Sequence, residues 1–270
     1  DNLNLIHALD EILKSKGLRN HCYIQYYFHG FAPMIDRLKG DGFYTKLEEL
    51  VLLTTASYEA FKNYYVSLPC RVSIMHNGIN TDKFYPLNTS DKQALKKENG
   101  INNKKIFIWC SQDRPKKGLF LMLDVWKRVY ERHQDIELWV IGTKKKENIA
   151  GVKFFGKIEN ALLAKYYQMS DVYLFTTLCQ EGFGMSLIEA KHSGCYCIAS
   201  NMGGVAEVLQ FGKYGKLIEH PHMISEWEKA IEEYLAIGES QTSLPENLYS
   251  TKEWNQQMHE LLANAKKSLQ

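Results

Sequence analysis

Glu181 and Glu189 stand eight residues apart, on either side of a turn that glycines bracket, Glu181-Gly182-Phe183-Gly184. Two glycines permit a tight bend and let a ligand approach main-chain N–H groups at the start of a helix, where the dipole favours negative charge. That is an anion site in outline, and it engages the main chain of Gly184, Met185 and Ser186. If a helix begins near Gly184, Glu189 lies about a turn and a half inside it. The two carboxylates then reach opposite ends of one elongated ligand and do not share a proton. Acceptor groups so placed suit hydroxyl-rich moieties such as a sugar and a ribose. A second loop has matching chemistry: Ser111-Gln112-Asp113-Arg114-Pro115-Lys116-Lys117-Gly118 brings cations between a strand and a helix N-terminus, where they can offset the charge of a diphosphate without a metal.

These loops need a rigid frame, and the hydrophobic pattern supplies one. Buried strands are predicted at Lys105–Cys110, Ile136–Ile141, Val152–Phe155, Asp171–Thr177, Cys195–Ser200 and Lys216–Glu219. Helices are predicted over Leu119–Val129, Leu162–Met169, the stretch after Gly184, Trp227–Ile237 and Thr251–Leu269. Upstream, a helix over residues 3–18 ends at Gly17, a strand at Cys22–Phe28 closes on His29-Gly30, and Pro33 opens the next loop. A mainly helical stretch follows to about Glu49. Strands at Leu50–Thr54 and Arg71–Met75 flank a helix at Ala56–Tyr65, and residues 87–103 read as a linker with one short helix. Strands alternating with helices imply parallel sheets, hence an α/β fold.

The 270 residues suffice for one large or two small domains. With 45% hydrophobic and 24% charged residues and a formal charge of +2, nothing points to nucleic acid as a partner. The six cysteines, Cys22, Cys70, Cys110, Cys179, Cys195 and Cys197, form no C-x-x-C pair and read as small buried residues, so neither disulfides nor a metal site is expected. The sequence holds no signal-peptide pattern and no apolar run of spanning length, which gives the expectation of a cytoplasmic chain.

The pattern E-G-F-G-x-x-x-x-E, then a strand, then Gly203-Gly204-x-x-Glu207, resembles the donor-site signature of the family 4 retaining glycosyltransferases (glycosyl transferases group 1), which have the GT-B fold. Further matches are His29-Gly30 at a strand end, the Thr54-Thr55-Ala56-Ser57 turn, Asn77-Gly78-Ile79-Asn80 with Phe84 and Pro86 beyond it, and Lys117-Gly118. The family's arginine lies nearer the strand end, at the place of Gln112, and Arg114 is the nearest candidate here. The resemblance implies two Rossmann-like, doubly wound parallel-sheet domains. Residues 1–90 would be the carboxyl-terminal part of an incomplete acceptor-side domain, its amino-terminal portion lacking. Residues 91–248 would form the donor-binding domain, and 249–270 a terminal helix that crosses back to the first domain, with Trp254 as its anchor.

The implied reaction moves a hexosyl unit from a UDP- or GDP-sugar to a hydroxyl of a glycan or lipid-linked acceptor. It retains anomeric configuration and uses no cofactor and no metal; no Asp-x-Asp occurs in the chain. By resemblance Glu181 holds the donor sugar's hydroxyls and Glu189 the ribose. Lys117 and Arg114 stabilise the leaving diphosphate, and Gly182, Phe183, Gly184, Met185, Ser186, Ser111 and Gly118 line the donor. The loop through Gly156 and Ile158 holds the base. His29, at a strand end, is the catalytic histidine candidate, whereas His7 on a helix and His192 after the two-glutamate helix read as structural. The basic runs Lys116-Lys117 and Lys144-Lys145-Lys146 leave room for peripheral contact with the cytoplasmic face of a membrane. Two other readings are a nucleotide-binding but inactive subunit and a dinucleotide dehydrogenase; the latter lacks G-x-G-x-x-G after the first strand of either domain.

Overall fold

The computed structural model describes residues 3–32, 42–65, 67–237 and 244–269. Pro33 and most of the helical stretch expected before Glu49 lie outside the described residues. The chain divides into two compact units, one made of Asp1–Gly78, Glu181–Phe183 and Tyr249–Gln270, the other of Ile79–Gln180 and Gly184–Leu248.

The first unit holds α1 (Leu3–Ser15), β1 (Gln25–Tyr27), β2 (Glu49–Leu52), α2 (Thr55–Tyr64) and β3 (Arg71–Ile74), with the strands parallel in the order β1-β2-β3. Thr54 caps α2 by accepting the Ser57 N–H, which is why the helix begins directly after the strand. The core joins Ile6 of α1 and Phe61 of α2 to Leu50 and Leu52 of β2, around Phe43 and Tyr44.

The second unit contains α3 (Thr89–Glu98), β4 (Lys105–Cys110), α4 (Leu119–Arg132), β5 (Ile136–Ile141), β6 (Val152–Gly156) and α5 (Asn160–Met169). It continues with β7 (Val172–Phe175), α6 (Met185–His192), β8 (Tyr196–Ser200), α7 (Val205–Val208), β9 (Lys216–Ile218) and α8 (Ile224–Ile237). Its six strands are all parallel in the order β6-β5-β4-β7-β8-β9. Both faces of a parallel sheet are covered by helices, so its strands read as unbroken apolar runs. In β5 all six residues are buried accordingly. Helix α4 buries Leu119, Met122, Leu123, Val125, Trp126 and Val129, a stripe at helical spacing that meets Trp227 and Ile231 of α8 in one core cluster.

Residues 79–90, grouped with the first domain by the sequence, cluster with the second unit. The reason is packing: Phe84 is 4% exposed and its ring lies 6.2 Å from that of Tyr167 on α5. At the amino end of the sheet Asp171 is the clamp. Its carboxylate accepts the Ile106 N–H at 2.7 Å and pairs with Lys92 at 2.8 Å and Lys96 at 2.6 Å. Helix α3 buries no residue, so these two lysines are its principal attachment to the sheet. Burial pushes the Asp171 carboxyl up, but the two ammonium groups outweigh it and hold the group below the ordinary carboxylate range.

The last helix, α9 (Thr251–Lys267), belongs to the first unit. Ser250 caps it through the Glu253 N–H. Trp254 packs so closely on Gly78 that a side chain there would meet its Cβ at 2.7 Å, and the Tyr27 hydroxyl of β1 reaches Met258 Sδ at 3.3 Å.

All six cysteines are free. Cys195 and Cys197 are fully buried beside carbonyl groups, and burial pushes the Cys197 thiol up to about 12. Among the described residues no group of three His, Cys, Asp or Glu side chains could hold a metal, and no helix is long and apolar enough to cross a membrane.

Candidate active site

In the second unit the winding reverses between β4 and β7. The crevice at the carboxyl ends of those two strands is where an open parallel sheet receives its ligand. Both loops singled out by their chemistry leave the sheet there. After β4 the chain passes Ser111 and Arg114 and makes one 3₁₀ turn, Pro115–Lys117. It then enters α4 through Gly118, whose backbone is left-handed at φ 71°. After β7 it runs through Thr176 and Thr177, both buried.

Hydrogen bonds zip these loops together. The Lys117 carbonyl accepts from Thr176 Oγ1 at 2.7 Å, the Lys116 carbonyl accepts the Leu178 N–H at 2.7 Å, and Trp109 Nε1 donates to Thr176 Oγ1 at 2.9 Å. Lys117 is thus held at the switch point by its backbone while its side chain is only half-buried. Gly118 has no substitute: a Cβ would collide with the Thr176 carbonyl oxygen, and φ is positive. Gly118→Ala is expected to lower the free energy of unfolding by about 2 kcal/mol or more, read from urea denaturation, because the αL penalty and the clash add.

Helix α6 begins at Gly184, left-handed at φ 88° and ψ 61°, and no side chain caps it. Its first turn is fixed from below, since the Tyr173 hydroxyl of β7 bridges Ser186 Oγ at 2.8 Å and the Cys110 carbonyl at 3.0 Å. The Ser186 hydroxyl is therefore engaged in positioning the helix, and what this turn presents to a ligand is main chain. Met185, 41% exposed, stands beside it.

Glu189 lies on α6, half-buried. Burial raises its carboxyl to about 7, with Lys83 pulling the other way. Lys83 itself is bound to Asn160 at the start of α5, through both the carbonyl and Oδ1. The charge of Glu189 is felt by Cys110 at the end of β4, where burial pushes the thiol up to about 11, and by Tyr167 and Tyr173. The carboxylate thus belongs to the same end of β4 and β7 as Lys117.

The loop after β6 reaches that edge as well. The Gly142 N–H donates to the Gly156 carbonyl at 2.7 Å and the Ser111 N–H to the Ile141 carbonyl at 3.2 Å, which stitches together the ends of β4, β5 and β6. Ile158, half-buried, follows two residues later. Ser111, Arg114, Lys117, Gly118, Gly156, Ile158, Gly184, Met185, Ser186 and Glu189 accordingly share one unit and one sheet edge. Arg114 is exposed and precedes the 3₁₀ turn.

Glu181, Gly182 and Phe183 cluster instead with the first unit, as does His29. Gly182 abuts the His29-Gly30 turn so closely that a Cβ would collide with the Gly30 carbonyl oxygen. Phe183, 2% exposed, packs its ring against His76 at 5.8 Å and Tyr249 at 5.3 Å. In this structure the side chain of Phe183 is a core group, and only its main chain is available to a donor. His29 is exposed at the end of β1. His192 is buried and its Nε2 donates to the Leu248 carbonyl at 2.8 Å, in keeping with a structural reading. His7, half-buried on α1, has its ring 6.3 Å from Phe43.

Sequence reasoning missed Tyr173, Thr176, Lys83 and Asn160, which position the loops and tune Glu189. Thr176 was visible as the first polar residue after the apolar run of β7. Tyr173 and Lys83 carried no signal, because their partners are 13 residues away or more.

Comparison with known proteins places the family and the fold. The family model for glycosyl transferases group 1 matches residues 91–251. A phosphatidyl-myo-inositol mannosyltransferase of Mycobacterium tuberculosis is 26% identical over 150 residues, which cover 53% of this chain and 38% of that protein. A GDP-mannose-dependent monoacylated alpha-(1-6)-phosphatidylinositol monomannoside mannosyltransferase of Corynebacterium glutamicum is 24% identical over 181 residues, 61% of this chain and 47% of its own length. The chain thus spans less than half the length of either relative. Among solved structures, Anabaena HepE in complex with UDP-glucose superposes with a TM-score of 0.76 at 17% identity, covering 97% of this chain and 77% of that one. That likeness fixes the fold as GT-B. With the family model spanning more than half of its residues, this chain belongs to the glycosyl transferases group 1 family.

Proposed function

We propose that the protein transfers a sugar from a UDP- or GDP-sugar to a hydroxyl of a glycan or lipid-linked acceptor, with retention at the anomeric carbon and without a metal. The observation that carries this reading is the zipped pair of loops at the β4/β7 switch point, which brings Lys117 and the uncapped start of α6 to one sheet edge with Glu189. Breaking the bond between sugar and phosphate leaves negative charge on the diphosphate. Lys117, Arg114 and the main-chain amides from Gly184 onward are the groups suited to receive it. Glu189 takes the ribose hydroxyls, and Ser111, Gly118, Gly156 and Ile158 flank the nucleoside. For Glu181 as holder of the sugar hydroxyls, and for His29 as a catalytic group, the support is the family resemblance. The names of the relatives support a lipid-linked acceptor, and with it peripheral contact at the cytoplasmic face of a membrane.

Thermal stabilisation by UDP, GDP and ADP, followed by release of free nucleotide from the matching sugar donor, tests the proposal. A ligand at about 100 times its dissociation constant adds about 2.7 kcal/mol, an easily read shift. Binding without turnover of any donor would instead favour an inactive nucleotide-binding subunit.

Glu189 gives a sharper expectation. Glu189→Ala should weaken nucleotide binding about 10- to 100-fold, the worth of a hydrogen bond to a charged group, whereas Glu181→Ala should chiefly lower turnover. Titration calorimetry with the free nucleotide separates the two. The folded carboxyl lies at about 7 against an ordinary 4.5, so the protonated form is the one the fold favours. The group costs nothing below about pH 4.5, and its penalty grows as pH rises towards 7 and is complete above it. Glu189→Gln is therefore expected to stabilise the apoprotein above pH 7, by up to about 3 kcal/mol, and to leave it unchanged near pH 4.5. Nucleotide affinity should rise from pH 6 to pH 8 in the parent protein and stay flat in the glutamine variant.

A further inference from the structure

We infer that the second unit has a lipid-docking face, a basic rim over the carboxyl ends of β4, β5 and β6 with Phe120 among its cations, which rests on an anionic membrane surface. The inference rests on the membrane contact proposed above and names the surface that makes it. Three loops build the rim. The loop after β4 brings Arg114, Lys116 and Lys117, the loop after β5 brings Lys144, Lys145 and Lys146, and Lys157 follows β6. The first two loops are joined twice: Thr143 Oγ1 donates to the Asp113 carboxylate at 2.7 Å, and the Lys145 ammonium lies 3.3 Å from the centroid of the Phe120 ring. The third is stitched to the second by the bond from the Gly142 N–H to the Gly156 carbonyl. Since β5 lies between β4 and β6, successive strand ends are about 5 Å apart and the loops form one surface.

Pairing sets this rim apart from the rest of the unit's surface. Elsewhere opposite charges meet: Arg128 and Arg132 face Glu228, Lys153 faces Glu137, and Lys216 faces Glu233. Arg114, Lys116, Lys144, Lys146 and Lys157, by contrast, are all exposed and form no ion pair with any described residue. In these loops seven cations stand against three carboxylates, Asp113, Glu147 and Glu159, whereas the whole chain carries only +2. Uncompensated charge of one sign, concentrated on one edge, attracts a surface of the opposite sign over about 8 Å at physiological salt.

Phe120 decides which polyanion that is. The ring is 50% exposed in the first turn of α4. An apolar ring amid lysines suits the headgroup level of a bilayer, where the ring enters and the ammonium groups stay among the phosphates. One face of the ring is already taken by the Lys145 ammonium, which favours insertion into lipid over base stacking by a single-stranded nucleic acid. The rim also shares its edge of the sheet with the β4/β7 crevice. Docking by this face turns the donor site towards the lipid, the side from which a lipid-linked hydroxyl arrives.

The test is sedimentation of the full chain with vesicles of phosphatidylcholine, with and without phosphatidylglycerol. Expected is binding to the anionic vesicles alone, weakened about tenfold or more when salt is raised from about 50 to 300 mM. Lys144→Gln combined with Lys146→Gln should weaken it about 25-fold, at about fivefold per cation. Phe120→Ser should weaken it about fivefold, a loss that persists at high salt because it is apolar. Stabilisation by UDP or GDP should match the parent in both variants. Acetylation of surface lysines on the parent protein, read by mass spectrometry, should find Lys116, Lys144 and Lys146 protected on vesicles and Lys229, 76% exposed on α8, as reactive as in solution. That footprint decides the matter if a variant does not fold. No binding to anionic vesicles at low salt, equal binding by the parent and K144Q/K146Q, or protection centred elsewhere overturns the inference. So does a single-stranded oligonucleotide bound more tightly than vesicles at equal phosphate concentration, which assigns the rim to nucleic acid. Vesicle binding needs no donor, so a failure of turnover leaves these readouts untouched, and turnover without vesicle binding sinks the docking face alone.

Discussion

Lys117→Ala is expected to lower donor turnover by about 10² to 10³, the effect of removing one preorganised group from developing negative charge. The size follows from where the residue is held. Its carbonyl is tied to Thr176 Oγ1, its neighbour Lys116 to the Leu178 N–H, and Gly118 is wedged against the Thr176 carbonyl. The ammonium therefore projects from a fixed backbone, and little reorganisation is needed as charge builds on the leaving diphosphate. On the Lys116–Gly118 side all of those restraints are made by main chain, so truncating the Lys117 side chain leaves them intact. The variant should unfold within about 0.5 kcal/mol of the parent. Turnover and denaturation measured side by side check both halves. A large loss of stability, or turnover within a few-fold of the parent, would contradict the assignment. Lys117→Arg is not expected to restore full rate, because a planar guanidinium does not place its charge where a compact ammonium does.

Asp171→Ala is expected to destabilise the second unit by about 3–5 kcal/mol, the largest stability change foreseen for a single substitution here. The carboxylate is 3% exposed and serves Lys92, Lys96 and the Ile106 N–H at once. Its loss leaves two partly buried ammonium groups and an unpartnered amide, and it frees α3, which has no buried residue of its own to hold it. Because the folded carboxyl sits below its ordinary value, the stabilisation is fully present above about pH 4 and is lost as pH falls through the folded value. Urea denaturation of the parent and of D171A at neutral and at acid pH reads this: the difference should shrink on acidification. A second substitution, Lys96→Met, should recover part of the loss in D171A, since one of the stranded charges is then gone.

Much of the second unit was legible in advance. The strands Lys105–Cys110 and Ile136–Ile141 are found with the expected bounds, because a strand buried on both faces has to be apolar throughout and polar residues mark its ends. The helix after Gly184 and the basic loop before Leu119 likewise follow from local spacing. In the first unit the expected Cys22–Phe28 strand narrows to Gln25–Tyr27, all half-buried, where a three-stranded sheet gives weaker register. The 3₁₀ turn at Pro115–Lys117 and the short helix Val205–Val208 had no periodicity long enough to announce them.

What the sequence by itself determined is the α/β alternation, the glycine turn ahead of α6, and the cationic loop ahead of α4. Each of these rests on neighbours within a dozen or so residues, and local sterics and side-chain alternation are enough to write them into the chain. Only the tertiary structure decided that Gly182 is glycine because the Gly30 carbonyl presses on it, that Phe183 is a core ring, and that burial lifts Glu189 to about 7. Close approach and desolvation are set by segments brought together from far along the chain, and no local pattern encodes what they will meet.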